Sequence, residues 1–239
     1  EAFPRGKTGE YTVPDEVNVI RDNVFRYSKI TKLTVGTGVT LISRRAFFMC
    51  EALRTLEFKG EGTAALSIDP EAFYRSPNLT SLRLPARLAE MDLQMLNQFA
   101  DLSILEVEEG GAHYSSVDNT ICNAAGNAIL YTLLNISGEY EIPVGIREIG
   151  PGAFADHSKL TRIIIPNYVN VIGTSAFQGC SSITGVIVEG SRSNDLLIGD
   201  SAFVGCRNLT SVVFQGNDTA TVDSGVTIIG YGAFADNHK

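Results

Sequence analysis

The sequence has few cysteines, few basic residues and no long apolar run, and each shortage argues against a class of protein. Four cysteines in 239 residues are too few for a small scaffold held together by disulfides. No apolar segment approaches the roughly 18 residues that a membrane-spanning helix needs. The 19 Lys and Arg residues are outnumbered by 27 Asp and Glu residues. The formal net charge of −8 argues against nucleic acid or an anionic membrane as the main partner.

Residues that could build a catalytic or metal centre are also scarce. The three histidines, His113, His157 and His238, have no spacing that would place them in a Ser-His-Asp triad or in a metal site. The cysteines form no Cys-x-x-Cys pair. We therefore expect a protein that is not an enzyme and that has no metal and no cofactor.

The sequence does contain a repeat of 23 residues. Between Glu141 and Val188 the same residue types return 23 positions later. The clearest matches are Pro143 with Pro166, Ile149 with Ile172, Phe154 with Phe177, and Ile163 with Val186. A period of this length is typical of a solenoid of stacked coils. It predicts a single repeat domain with a continuous apolar interior.

Alignment of the whole chain to this unit gives eight coils, each marked by an apolar pair that is usually Ala-Phe. The second member of the pair is Phe25, Phe47, Phe73, Leu96, Phe154, Phe177, Phe203 and Phe234. Five residues earlier lies an Ile or Met, and six residues later lies a Leu or Ile, with Thr31 as the polar exception in coil one. The alternating apolar residues that follow predict a strand. Each coil should therefore contain a strand, a short helical turn with Ala-Phe, and a second strand.

Extra residues all fall at one point of the coil, between the alternating strand and the next Ile position. We expect these insertions to leave one edge of the solenoid, where repeat proteins commonly bind. The largest insertion, residues 108–141, contains strand-like runs on both sides of Asn123–Asn127 and predicts a β-hairpin. Its exit, SGEYEIP, resembles TGEYTVP near the start of the chain. Residues 1–13 are therefore interpreted as the end of a similar insertion or as a cap.

The predicted organisation is one solenoid over residues 1–239. Residues 14–107 form coils one to four, and residues 142–239 form coils five to eight, of which the last is truncated. The chain begins with Glu1 and shows no signal-peptide pattern. We interpret it as a mature or trimmed chain whose ends are cuts, or unusual caps, in a longer array.

With these residues aligned, the chain resembles the BspA-like leucine-rich repeat family. The closest match to the family unit is LTRIIIPNYVNVIGTSAF, from Leu160 to Phe177, followed by Cys180. The resemblance implies a strand-rich α/β fold, a right-handed leucine-rich-repeat solenoid of about eight coils with a β-hairpin insertion. It also implies a secreted or cell-surface protein that acts in adhesion to host proteins or other cells. The family brings no catalytic residue.

The outward positions of the alternating strands are the first candidate binding face. In the first half of the chain they are Glu57, Arg83 and Glu106, which would form a charge ladder between neighbouring strands. In the second half they are Ile164, Ile187 and Val213, which would form an exposed aliphatic stripe. Such a stripe can mark a contact surface. The alternatives are that β-branched residues simply favour strands or that a loop covers them.

An acidic loop edge is the second candidate. The insertion at 108–141 carries Glu108, Glu109, Asp118, Glu139 and Glu141 with no Lys or Arg. Most of the remaining net charge falls in the predicted loop at 215–225, through Asp218 and Asp223. Solvated loops that keep the protein soluble explain this pattern better than a calcium site does.

Three cysteines, Cys50, Cys180 and Cys206, each lie three residues after a coil Phe. This position can face a turn of the neighbouring coil, so we expect buried free thiols. Cys180 and Cys206 would lie on adjacent coils, and a disulfide is conceivable if their Cα atoms come within about 7 Å.

The favoured function is a non-catalytic recognition module, secreted or at the cell surface, that binds protein or glycan. Its contact face would be the aliphatic stripe or the acidic loop edge. No nucleic acid and no membrane insertion by this segment are expected. The alternative is a structural spacer or self-associating scaffold that has no specific ligand.

Overall fold

A computed structural model describes residues 7–60, 62–190, 195–215 and 226–237. The chain divides into two units, residues 1–124 and 125–239. Three features of the sequence lie outside the described residues: residues 1–6 of the predicted cap, residues 216–225 of the predicted acidic loop, and His238. The assignment of residues 1–239 to one solenoid domain stays a prediction.

Unit 1 contains two parallel sheets whose strands alternate along the chain. The first sheet has the order β1 (Thr8–Thr12), β3 (Lys29–Val35), β5 (Thr55–Phe58), β7 (Ser81–Leu84) and β9 (Ile104–Val107). The second has the order β2 (Val19–Ile20), β4 (Leu41–Ile42), β6 (Leu66–Ile68) and β8 (Leu88–Met91). Each coil thus gives one strand to each sheet. The described part of unit 1 ends with the antiparallel hairpin of β10 (Tyr114–Val117) and β11 (Thr120–Asn123).

Unit 2 repeats this arrangement. It begins with β12 (Ala128–Thr132) and β13 (Gly138–Glu141), which start its two parallel sheets. The sheet of β13 continues with β15 (Leu160–Ile165), β17 (Gly185–Val188) and β19 (Ser211–Phe214). The sheet of β12 continues with β14 (Glu148–Ile149), β16 (Val171–Ile172), β18 (Leu196–Ile198) and β20 (Val226–Ile229). The sheet that begins with β1 and the sheet that begins with β13 together contain nine strands among the described residues. The number of turns is therefore close to the predicted eight coils.

The predicted phenylalanine ladder forms the interior of both units. Phe25, Phe47 and Phe73 stack in unit 1 with ring centroids 5.2 and 4.9 Å apart. Phe154, Phe177, Phe203 and Phe234 stack in unit 2 at 4.9, 4.9 and 5.2 Å. Burial of each ring contributes about 1.5 to 3 kcal/mol. The preceding alanines are at most 2% exposed, so a larger side chain there would hold the coils apart.

The segments that carry Ala-Phe are tight turns in most coils rather than helix. In the described part of the chain the one assigned helix is a 3-10 helix, Leu93–Gln98, in coil four. Elsewhere alternate N–H groups of the turn donate to the next coil, as from Phe47 to the carbonyl of Ala72 at 2.9 Å and from Phe177 to that of Ala202 at 2.7 Å. These donors are therefore not available for bonds within a helical turn.

Coil one differs from the predicted spacing. Ile30 is fully buried and Thr31 is exposed, so Ile30 fills the place that the fixed spacing assigned to Thr31. The strand pairings agree, since Gly9 pairs with Ile30 as Gly138 pairs with Leu160. Coil one is one residue shorter between its Phe and its strand. The predicted polar exception was wrong for this reason.

The sequences TGEYT and SGEYE form equivalent first strands. Gly9 and Gly138 have φ angles of 79° and 77°, and in both strands the register shifts between this glycine and the following Glu. The left-handed φ suits glycine because a Cβ would be strained there. Tyr11 then packs against Phe25 and Tyr140 against Phe154, at ring distances of 6.1 and 5.5 Å.

The 108–141 insertion contains more strand than the sequence predicted. Strands β11 and β12 lie on the two sides of Asn123–Asn127, as expected. In addition, β10 pairs with β11 through a two-residue turn at Asp118 and Asn119, whose φ angles are 46° and 60°. Asp and Asn tolerate this left-handed conformation in tight hairpin turns.

Candidate binding surfaces

The outer strand face of unit 2 carries the predicted aliphatic residues in register. Ile164 pairs with Ile187, and Ile187 pairs with Val213, so the three side chains form one column across β15, β17 and β19. Val213 is 44% exposed and the two isoleucines are half-buried. Their neighbours Ile163, Ile165, Val186 and Val188 point inward and are at most 2% exposed. We call Ile164, Ile187 and Val213 the aliphatic column.

A polar column borders the aliphatic column on the same sheet. Arg162 Nη1 lies 3.3 Å from Glu139 Oε2, and its Nε lies 3.6 Å from the position that a Cβ on Gly185 would occupy. The guanidinium side chain therefore extends over the bare backbone of Gly185. This arrangement places Glu139 on the strand face, because the last residues of the insertion form β13. The prediction of Glu139 on the loop edge was wrong.

The equivalent column of unit 1 is polar. Thr34, Glu57, Arg83 and Glu106 lie in register on β3, β5, β7 and β9. Arg83 Nε lies 2.9 Å from Glu106 Oε2, but Glu57 pairs with Lys32 at 2.7 Å and accepts a hydrogen bond from Thr34. The Lys32 ammonium holds the pKa of Glu57 below its ordinary value. The Arg83–Glu106 pair is more than half exposed, so it contributes little to stability, whereas Lys32 and Glu57 are partly buried.

The turn segments of unit 1 carry an aromatic surface that sequence reasoning missed. The rings of Tyr27, Phe48 and Tyr74 follow one another from coil to coil at 5.9 and 5.9 Å. The Arg26 guanidinium lies 4.7 Å from the Tyr27 ring centroid and 4.9 Å from that of Phe48, and the Arg75 guanidinium lies 5.5 Å from that of Tyr74. We call these five residues the aromatic-arginine column.

A groove lies beside this column in unit 1. Its volume is about 570 Å³, and its walls include Tyr74 and Arg75 together with the apolar side chains of Met49, Pro70, Pro77 and Met95. The carboxylates Glu51 and Glu71 also line it, and Glu71 is paired with Arg44 and Arg45. The corresponding turn surface of unit 2 has a groove of about 330 Å³, which is lined mainly by small and polar residues such as Asp156, Gly179 and Gly205. Large apolar and aromatic side chains thus distinguish the turn surface of unit 1.

The repeat pattern decides the family. The family model described as BspA type leucine rich repeat region matches residues 1–117 and 127–239, in six copies. The chain belongs to this family. No curated protein matches the sequence.

Solved structures share the fold of this BspA-type repeat protein. The pneumococcal vaccine antigen PcpA superposes with a TM-score of 0.60 at 19% identity, over 96% of this chain and 66% of that protein. A leucine-rich repeat protein from Bacteroides ovatus superposes with a TM-score of 0.51 at 23% identity, over 94% of this chain and 51% of that protein. The chain therefore spans less than two thirds of the length of either structure, and at these identities the likeness shows the fold alone.

The cysteines that follow the coil Phe are part of the BspA-type core. Each thiol donates to the carbonyl of the preceding coil's Phe: Cys50 to Phe25 at 2.8 Å, Cys180 to Phe154 at 2.9 Å and Cys206 to Phe177 at 3.1 Å. All are buried and free, so Cys180 and Cys206 form no disulfide. Burial raises the pKa of Cys50 to about 12, and the Cys206 thiol together with burial raises the pKa of Cys180. Thiols that are kept protonated, such as Cys50 and Cys180, are poor nucleophiles, whereas the hydrogen bond with Cys180 lowers the pKa of the buried Cys206.

The acidic residues of the insertion do not converge on one site within unit 1. Glu108 accepts a hydrogen bond from the Ala86 N–H at 3.3 Å, whereas Glu109 and Asp118 are exposed, the latter in the β10–β11 turn. Across the described ranges no three His, Cys, Asp or Glu side chains are grouped in a way that could hold a metal ion. In the same ranges, no helix has the length and apolar character needed to cross a membrane.

Proposed function

We propose that this chain is a non-catalytic recognition module of a secreted or cell-surface protein, and that it binds a partner protein through the aliphatic column of unit 2. The observation that carries the proposal is the register of Ile164, Ile187 and Val213 on an outer sheet face. The same column of unit 1 is polar, so the fold itself does not require aliphatic residues there. The BspA-type family supports the cell-surface part of the proposal.

The chemistry of the column favours protein over glycan as the partner. Ile and Val offer no hydrogen-bond donor or acceptor in their side chains, and sugars need such groups around them. A protein partner can instead place its own apolar side chains on the column, with Arg162 and Glu139 at the border as a polar rim. A short apolar centre with a polar rim is typical of protein interfaces.

The polar groups of the interior favour a non-catalytic module. Four side chains with nucleophilic or basic chemistry, Cys50, Cys180, Cys206 and His157, are buried and bonded to backbone carbonyls of their own unit, whereas His113 is exposed. An enzyme needs such groups in contact with a substrate. Here they stabilise the turns of the stacked coils.

The proposal is tested with the double variant Ile164→Thr, Ile187→Thr. Threonine keeps the β-branched shape that suits a strand, but it adds a hydroxyl to the surface. Binding to purified extracellular-matrix proteins, such as collagen, laminin and fibronectin, is measured by surface plasmon resonance. We expect at least about a tenfold loss of affinity for any protein that the unaltered chain binds, with a melting temperature lowered by only a few degrees.

The matched control is Glu57→Gln, Arg83→Gln, which changes the same column in unit 1 and should leave binding unaltered. A chain that binds none of the matrix proteins, or equal binding by both double variants, would contradict the proposal. Light scattering over a range of concentrations examines the alternative function, since concentration-dependent oligomers without a ligand would favour a self-associating scaffold.

A further inference from the structure

The aromatic-arginine column of unit 1 has no place in the function proposed above. It lies on the turn segments of unit 1, whereas the aliphatic column lies on strands of unit 2. Tyr27 and Tyr74 are 39% and 41% exposed, and Arg26 and Arg75 are also exposed. Exposed Tyr, Phe, Met and Arg side chains are the residue types most enriched at protein interfaces.

The guanidinium groups of this column are held in place by the rings but are not matched by acidic side chains. Arg26 and Arg75 stack on aromatic rings and make no salt bridge with a described residue. Arg26 Nη2 donates a hydrogen bond to the Tyr27 hydroxyl at 3.0 Å. The remaining in-plane N–H groups of a stacked guanidinium can match a carboxylate in a bidentate manner. Because the side chain is already ordered, less entropy is lost on binding.

An adjacent arginine of the same turn surface shows that carboxylates are accepted there. Arg45 lies over the Tyr74 ring at 5.4 Å, and its Nε lies 3.0 Å from Glu71 Oε2. Arg44 contacts the other oxygen of the same carboxylate. Stacking on a ring and pairing with a carboxylate thus occur together on one guanidinium in this unit.

The backbone gives a second and independent observation. The residue two positions after the coil Phe has a positive φ in both units. Unit 2 fills it with Asp156, Gly179, Gly205 and Asp236, which tolerate this conformation. Unit 1 fills it with Tyr27 at 60°, Met49 at 54° and Arg75 at 60°. Large side chains are unfavourable in this region, and such strain is typical of functional sites.

We propose that the aromatic-arginine column and its groove bind an acidic segment of a partner protein. Arg26 and Arg75 lie on coils separated by two steps, of 5.2 and 4.9 Å between stacked rings. On an extended peptide, carboxylates that are two or four residues apart lie on one face at about 7 or 13 Å, and these two spacings bracket this distance. An apolar side chain near them enters the groove between Met49, Pro70 and Met95. A sulfated glycan fits less well, because guanidinium groups already cover ring faces on which sugars would stack.

The experiment uses the full chain and a fluorescein-labelled ten-residue peptide of alternating glutamate and leucine, with binding followed by fluorescence anisotropy. A peptide with glutamine in place of glutamate is the ligand control. We expect the glutamate peptide to bind at least about tenfold more tightly than the glutamine peptide, and its binding to weaken as salt is added. The variant Arg26→Gln, Arg75→Gln should lose at least about tenfold in affinity. Arg207→Gln, an exposed arginine on the turns of unit 2, should bind as the unaltered chain does.

The variant Arg75→Gly separates a binding role from a structural one. Glycine relieves the positive φ, so the melting temperature should stay the same or rise while affinity for the glutamate peptide falls. A fall in both would overturn the proposal, because Arg75 would then be a structural residue. Failure to bind the peptide up to about 1 mM, or equal binding by the Arg26/Arg75 double variant, would also overturn it. So would tighter binding of heparin than of the glutamate peptide, which would assign the surface to a sulfated glycan.

Discussion

The two units have the same interior and different surfaces. Inside, both have stacked phenylalanines about 5 Å apart, alanines between the coils and buried polar groups that bond to the preceding turn. Outside, the central residues of the strand face are polar in unit 1 and aliphatic in unit 2. The turn surface carries aromatic side chains in unit 1 and mainly small or polar side chains in unit 2. The coil therefore fixes the inward residues and leaves the outward ones free to differ. The outward differences are where binding is expected.

The largest expected effect tests whether the interiors are equivalent. Phe47 and Phe177 are both fully buried, and each lies between two stacked rings. Phe47→Ala and Phe177→Ala should each lower the free energy of unfolding of their own unit by about 3 to 5 kcal/mol, since both leave a cavity in the stack. Hydrogen exchange measured by mass spectrometry reports the two units separately. If one substitution lowers the free energy of unfolding by less than half as much as the other, the two interiors are not equivalent. Tyr74→Ala, at an exposed ring, is the control and should cost far less.

A smaller effect concerns His157, which fills in unit 2 the position that Ser28 and Ser76 fill in unit 1. Its Nε2 lies 2.9 Å from both Thr132 Oγ1 and the Leu133 carbonyl, and burial lowers its pKa despite these backbone bonds. The unfolded chain therefore binds a proton more readily than the folded unit does. Stability should be highest above the ordinary pKa of 6.5 and should fall as pH decreases below it.

The measurement for His157 is hydrogen exchange of both units between pH 7 and about 5.5, after correction for the intrinsic pH dependence of exchange. Carboxylates with lowered pKa, such as Glu57 and Glu71, do not titrate in this window. Unit 2 should lose protection as the pH falls, and unit 1 should not. The loss of free energy of unfolding in unit 2 should be at most about 1.4 kcal/mol for a tenfold change in the proton affinity of His157. The variant His157→Ser should remove this pH dependence. An equal pH dependence in the variant would show that another group is responsible.

The smallest effect concerns the charged strand face of unit 1. Arg83 and Glu106 form a pair in which both side chains are more than half exposed. Arg83→Gln should change the free energy of unfolding by less than about 1 kcal/mol, and added salt should reduce the difference further. Urea denaturation at two salt concentrations measures this. A loss of several kcal/mol would mean that the strand face, like the interior, is needed for the fold.

The interior and the outward strand positions were predictable for the same reason. A 23-residue repeat places equivalent residues above one another, so Phe154 and Phe177 had to stack and Ile164 and Ile187 had to pair. The buried thiols of Cys50, Cys180 and Cys206 followed from their fixed distance to the coil Phe. The errors occurred where the spacing changed. Ile30 replaced Thr31 in a shortened turn. Glu139 lay on a strand because the 23-residue spacing, which places Tyr140 beside Ile163, continues back into the end of the predicted insertion.

The sequence by itself determined a BspA-type stack of coils, because apolar residues at a regular period can be buried only by stacking on their neighbours. Only the tertiary structure decided what the turns present to solvent. Alternate N–H groups of the turns donate to the next coil, so the turns are not helical. The positive φ two positions after the coil Phe directs Tyr27, Met49 and Arg75, and the apolar pattern of the sequence does not indicate it. The aromatic-arginine column thus arises from backbone bonds between coils, which depend on residues that are distant in sequence.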